Sequence, residues 1–170
     1  MTKKKDLSDH GLNHGLDVKA LRFGIVVSKW NGEITESLLR GCKDTLVEYG
    51  VDDHQIYIVE VPGSFELPAA ARMLDDKHNL DAIICLGCVI QGDTKHNEYI
   101  NQAVATGLIQ LGIMRSKPCI FGVLTPDNMQ QAKDRAGGKH GNKGTEAAAT
   151  AIQMAQLRRD LRGPKNTIGF

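Results

Sequence analysis

Nowhere in the 170 residues do 18 consecutive apolar residues occur, so no helix long and apolar enough to cross a membrane is expected. Lysines 3–5 resemble the start of a signal peptide, but no apolar stretch follows them. Residues 1–18 are therefore expected to form a mobile tail. An excess of one charge is also missing: 21 Lys and Arg stand against 20 Asp and Glu, a formal net charge of +1. Nothing in that balance points to nucleic acid or to an anionic membrane. Several familiar devices are absent as well. There is no G-x-G-x-x-G after a strand, no G-x-S-x-G elbow and no Cys/His cluster at zinc spacing. "GKHGNKGT" imitates a phosphate loop, but Asn142 and Gly144 stand where glycine and Ser/Thr are needed, and it follows a helix. His10 and His14 lie four apart among glycines with no third ligand, so no metal site is expected.

Only four cysteines occur, Cys42, Cys85, Cys88 and Cys119, each inside an apolar segment. That usage suits small core residues in a reducing compartment and gives a cytoplasmic expectation. Cys85 and Cys88 match C-x-x-C, but residues three apart on a strand point to opposite faces, so the thiols should diverge.

What is present is ordinary for one globular domain: 41% apolar and 24% charged residues. A chain of this length buries about two-thirds of its unfolded surface. Four apolar runs, "LRFGIVVS", "QIYIVEV", "LDAIICLGCVI" and "PCIFGVLT", read as strands. Each is followed by apolar residues at helical spacing. One such stripe is Ile34, Leu38, Cys42 and Leu46, and another is Ile100, Val104, Leu108 and Leu111. The third helix is expected from Thr94, and the fourth from Thr125-Pro126-Asp127 as cap, first-turn proline and first-turn acid. "GGKHGNKG" reads as a loop before a last helix that ends near Gly163-Pro164. Strands apolar nearly throughout belong to a parallel sheet covered on both faces. The expected fold class is α/β: a three-layer α/β/α sandwich with a four-stranded parallel sheet in flavodoxin-like winding. A single domain is expected over residues 19–163, with residues 164–170 frayed.

In such sheets ligands bind beyond the carboxyl ends of the strands. After the first strand come Trp30, the only tryptophan, and Asn31. An indole on that loop either covers a hydrophobic gap or stacks on a flat heterocycle. After the second come Ser64 and Glu66 at the opening of a helix. The glutamate there either complements the helix dipole or accepts hydrogen bonds from vicinal hydroxyls. After the third, Gly92-Asp93-Thr94 offers backbone N–H groups and a hydroxyl at a helix start, as an anion site requires. His96 follows in the first turn, where the positive dipole end disfavours imidazolium and leaves an imidazole able to accept a proton. Arg135 stands near the end of the fourth helix. It either complements that terminus or holds a phosphate with its fork.

Five segments, "KWN", "VPGSFELP", "GCVIQGDTKH", "FGVLT" and "DRAGGKHGNKG", resemble the lumazine synthase family of riboflavin biosynthesis in order and spacing, over roughly Arg22 to Arg159. The resemblance implies that the amine of 5-amino-6-(D-ribitylamino)uracil attacks the ketone of 3,4-dihydroxy-2-butanone 4-phosphate. Phosphate and water then leave as the lumazine ring closes, with no metal or organic cofactor. It further implies that Trp30 stacks on the pyrimidine and that Asn31 beside it also binds substrate. Ser64, Phe65 and Glu66 would hold the ribityl chain, and Cys88, Val89 and Ile90 line the uracil. Asp93 and Thr94 would bind phosphate, and His96 move protons. Phe121 and Arg135 would enter from a neighbouring subunit, Arg135 on the phosphate, with Lys143 as a further cation for the same anion. Cys88 and Gln91 depart from the Thr and Arg that other members often carry. The family also implies a homopentamer, and the compact "GGKHGNKG" linker suits members whose pentamers form a 60-subunit capsid. The rival functions are an archaeal-type riboflavin synthase and a flavin- or lumazine-binding protein without catalysis.

Overall fold

In the computed structural model, which describes residues 15–163, strand and helix alternate as the apolar pattern requires. The order is β1 (Phe23–Ser28), α1 (Gly32–Glu48), β2 (Ile56–Val61), α2 (Leu67–His78), β3 (Ala82–Cys88), α3 (His96–Arg115), β4 (Cys119–Leu124), α4 (Met129–Arg135) and α5 (Lys143–Arg162). All four strands are parallel, in the order β2-β1-β3-β4. β1 and β3 are central and buried along their whole length, which is why they read as unbroken apolar runs.

Alternation along the strands divides the core between the two faces. Phe23, Ile25, Ile84 and Leu86 point to one, where they pack with α1 and α5 through Leu38, Leu46 and Ile152. Val26, Ile83 and Cys85 point to the other and pack with α2 and α3 through Leu67, Leu74 and Leu108. Each such fully buried Leu or Ile contributes about 1.5–3 kcal/mol of transfer free energy. Cys85 belongs to one face and Cys88 to the other, so the two thiols diverge as strand geometry demands.

Four boundaries differ from the sequence reading, and each has a local cause. The chain joins the core earlier than residue 19: Val18 is 2% exposed and Leu16 packs beside it. Helix α3 begins at His96 instead of Thr94, because Asp93 to Lys95 form a non-helical bend and Lys95 takes the cap position. Helix α4 is capped by Asn128, whose side chain accepts from the Gln131 N–H at 3.0 Å. Thr125 cannot cap it, because the backbone continues extended past β4 and the Pro126 carbonyl accepts from Gln91 N–H at 2.9 Å. The expected "GGKHGNKG" loop is a small antiparallel hairpin, β5 (Ala136–Gly138) with β6 (Gly141–Asn142). Gly137 (φ 105°) and Gly141 (φ 81°) supply the left-handed backbone it needs. His10, His14 and the segment after Gly163 lie outside the described residues.

Where β3 and β4 begin, at the amino edge of the sheet, one carboxylate is locked in place. Asp75 of α2 is 1% exposed. It accepts from Lys117 Nζ at 2.6 Å, Leu80 N–H at 3.0 Å and Arg115 Nε at 3.0 Å. Lys117 Nζ also donates to Asn79 Oδ1 at 3.0 Å, and Arg115 Nη2 to Asp76 Oδ1 at 2.8 Å. Burial alone would raise the Asp75 carboxyl. The hydrogen bonds from Lys117 and Arg115, with the Lys117 charge and the Leu80 N–H, hold it below the usual carboxylate range instead.

Candidate active site

A cavity of about 950 Å³ opens beyond the carboxyl ends of β1, β2 and β3. Its walls come from four short segments, each placed by the end of an element. Trp30 follows β1 and is 74% exposed. Pro62 to Glu66 follow β2, with Ser64–Glu66 forming a single 3-10 turn that leads into α2. Cys88, Val89 and Ile90 continue β3, then Gly92 and Thr94 pass over the opening of α3. His96 is the first residue of α3, and its backbone N–H points to Thr94 Oγ1 at 3.4 Å.

Local hydrogen bonds hold these segments. Asn31 adopts left-handed backbone (φ 59°, ψ 49°), and its carbonyl receives the first N–H groups of α1. Its side-chain amide donates to the Cys88 carbonyl at 2.9 Å, tying the end of β1 to the end of β3. Lys29 and Trp30 donate their N–H groups to Val61 and Pro62 carbonyls, extending the ladder with β2 to the cavity edge. Glu66 Oε2 accepts the Gly63 N–H at 3.0 Å. The tight 63–66 turn therefore presents Phe65 and Glu66 outward while Ser64 is buried.

The cavity brings together nine residues expected to act in one site: Trp30, Ser64, Phe65, Glu66, Cys88, Val89, Ile90, Thr94 and His96. Five others lie off its lining. Asn31 serves the frame, as just described. Asp93 is exposed on the bend before α3. Phe121 lies in the middle of β4, registered against Cys85 and half-buried against the core cluster on the α2 and α3 side of the sheet. Arg135 and Lys143 converge elsewhere, on Glu146 of α5. Arg135 Nη2 lies 2.6 Å from Glu146 Oε1, and Lys143 Nζ lies 3.0 Å from Oε2. Arg135 Nη1 also donates to the His140 carbonyl at 2.6 Å. Two cations thus share one nearly buried carboxylate at the hairpin.

Sequence reasoning missed the wall that α3 contributes beyond its first residue, namely Asn97, Tyr99, Ile100 and Ala103. Tyr99, Ile100 and Ala103 stand three, four and seven positions after His96, so helical spacing alone puts them on its face.

Chemically the pocket is mostly apolar and aromatic, with one imidazole, one carboxylate and a turn of exposed backbone after β3. Burial pushes the Cys88 thiol up to about 11, so it is protonated near neutral pH and offers its backbone and bulk, not a nucleophile. Among the described residues no group of three or more His, Cys, Asp or Glu could hold a metal ion.

Residues 20–159 match the family model described as 6,7-dimethyl-8-ribityllumazine synthase. A relative of that name from Porphyromonas gingivalis is 51% identical over 158 residues, covering 93% of this chain and 98% of its own length. One from Parabacteroides distasonis is 48% identical over 92% of this chain and 98% of its own. One from Cytophaga hutchinsonii is 54% identical over 78% and 83%. With the parallel sheet, the strand-end cavity and a match through most of the chain, this protein belongs to the 6,7-dimethyl-8-ribityllumazine synthase family.

Proposed function

We propose that the chain catalyses the reaction its family is named for. It joins 5-amino-6-(D-ribitylamino)uracil to 3,4-dihydroxy-2-butanone 4-phosphate, giving 6,7-dimethyl-8-ribityllumazine, phosphate and two waters. The observation that supports this reading best is the convergence on one cavity of an aromatic plane, a carboxylate, the exposed turn before α3 and a histidine. Trp30 stacks on the pyrimidine ring. Ser64 to Glu66 receive the ribityl hydroxyls, and the Cys88–Ile90 backbone borders the uracil. Gly92 to Thr94 receive the phosphate; apart from Gly92 and its two chain neighbours, nothing lies within 4 Å of the place where a Gly92 Cβ would stand, so the backbone there is open to an anion.

The amine attacks the ketone and water leaves to form an imine. His96 is placed to move the protons of that step and of phosphate elimination. The second nitrogen then closes the ring with loss of the other water. Holding two substrates together supplies much of the acceleration.

Phe121, Arg135 and Lys143 complete the cavity of a neighbouring copy in a homopentamer. Two exposed apolar faces support such assembly, Ile109, Ile113 and Met114 on α3 with Met154, Leu157 and Leu161 on α5. The compact hairpin fits packing of pentamers into a capsid. The four free cysteines, three of them buried, fit the reducing cytoplasm.

The test is direct. The chain is mixed with both substrates while lumazine absorbance and phosphate release are followed, and its mass in solution is measured. Lumazine and phosphate formed together support the reading. Riboflavin made from lumazine alone, tight flavin binding without turnover, or a fully active monomer would each overturn the corresponding part.

A further inference from the structure

Gly87 is the last residue but one of β3 and lies on the sheet face that α2 and α3 cover. It is buried below the cavity floor, where the 3-10 turn Ser64–Glu66 rests on the sheet. A Cβ at position 87 would overlap Ser64 Oγ outright and would come within 3.2 Å of both Leu67 Cδ1 and Ser28 Oγ. Ser64 is itself buried, Leu67 is 0% exposed, and Ser28 Oγ is buried without a hydrogen-bond partner. A methyl group at position 87 must therefore displace the Ser64 hydroxyl from its buried place, and with Leu67 and Ser28 beside it the strain passes to the turn that carries Ser64. Phe65 and Glu66 are the next two residues of that turn, and both line the cavity.

We propose that Gly87 is a specificity-determining residue for the polyol-bearing pyrimidine substrate. Its missing side chain sets the depth at which the Ser64–Glu66 turn sits, and so the room between Glu66 and the opposite wall of the cavity. The inference rests on the proposed reading of this cavity. It adds a residue that does not touch the substrate but decides where the groups that do are held. The phosphate-bearing substrate meets the loop after β3, and none of the three atoms nearest a Cβ at position 87 belongs to that loop.

Three variants test it in the assembled full-length protein: Gly87→Ala, Ser64→Ala and the double variant. With the Ser64 hydroxyl removed the outright overlap is gone and only the two side-chain contacts at 3.2 Å remain, so the double variant relieves most of the collision. Gly87→Ala is expected to raise KM for the ribitylaminouracil by about tenfold and to lower Tm by about 5 °C. KM for the butanone phosphate should change less than about twofold, since its loop is not displaced. The double variant should return KM and Tm to those of Ser64→Ala. Unchanged constants in Gly87→Ala, an equal rise in both KM values, or a double variant no better than Gly87→Ala would overturn the proposal. If Gly87→Ala fails to assemble, the double variant decides: recovery with the kinetics of Ser64→Ala supports the seat, and failure refutes it. A wild-type chain that makes no lumazine would instead remove the proposed function. The Tm coupling between positions 64 and 87 would still decide the steric part.

Discussion

At the amino ends of β3 and β4, the buried Asp75 of α2 and Lys117 on the approach to β4 form a fully paired cluster with the half-buried Arg115 at the end of α3. At the carboxyl ends of β1, β2 and β3 the chain does the reverse. The backbone from Gln91 to His96 is exposed, and Trp30 and Phe65 stand largely in solvent. One end spends its polar groups on each other; the other keeps them turned toward a cavity. A sheet with its amino edge pinned can leave the opposite edge open without losing register, because the strands between are buried on both faces. Stability and chemistry should therefore separate under substitution.

The largest expected effect is on activity alone. His96→Ala should lower kcat about a hundredfold or more, with Tm moved by less than about 2 °C because the residue is exposed at the first turn of α3. A KM that rises while kcat holds would contradict the proton-transfer role. Next comes the opposite pattern at the pinned end. Lys117→Met leaves Asp75 without its nearest cation and should cost about 3–5 kcal/mol, roughly 10 °C in Tm, with kcat of the folded protein retained.

That loss should depend on pH in a definite sense. The Asp75 carboxyl lies below its usual value in the folded chain, while in the unfolded chain it takes up its proton near pH 4. Its contribution is complete above about pH 4 and disappears as pH falls through the lower, folded value. The gap in Tm between wild type and Lys117→Met should therefore be widest at neutral pH and narrow toward pH 3. A gap independent of pH would remove the carboxylate from the explanation.

Arg135→Ala should act more mildly, raising KM for the phosphate-bearing substrate about tenfold while kcat changes less. A similar rise for both substrates would show that the hairpin, not the anion, is what the substitution disturbs. The smallest effect concerns Cys88. With its thiol pushed up to about 11, alkylation between pH 7 and 8 should be slower than for a free thiol by a factor of about a hundred. Rapid labelling with loss of activity would show that the strand end opens.

The sheet was legible because burial on both faces writes apolar runs that no helix of that length would need, as in Phe23–Ser28 and Ala82–Cys88. Helix starts were less so. Thr125 and Asn128 are both good caps, and only the extended backbone held by Gln91 and Pro126 selects the second. The strand-end residues Trp30, Ser64–Glu66, Cys88–Ile90 and His96 could be placed together from topology. Tyr99 and Ala103 follow from His96 by helical spacing, three and seven positions on, but the core stripe through Val104, Leu108 and Leu111 is the stronger signal and draws the reading to the other face. Phe121 and Lys143 came from family resemblance and Arg135 from its place near a helix end as well, and within one chain all three stand apart from the cavity lining.

Trp30 carries a practical consequence. It is the chain's single indole, and the fold sets it largely in water at the rim of the pocket. Tryptophan emission from this protein therefore has one source, free of background from a second indole. Any flat ring that settles against it will quench or shift that light, so occupancy can be titrated without a label.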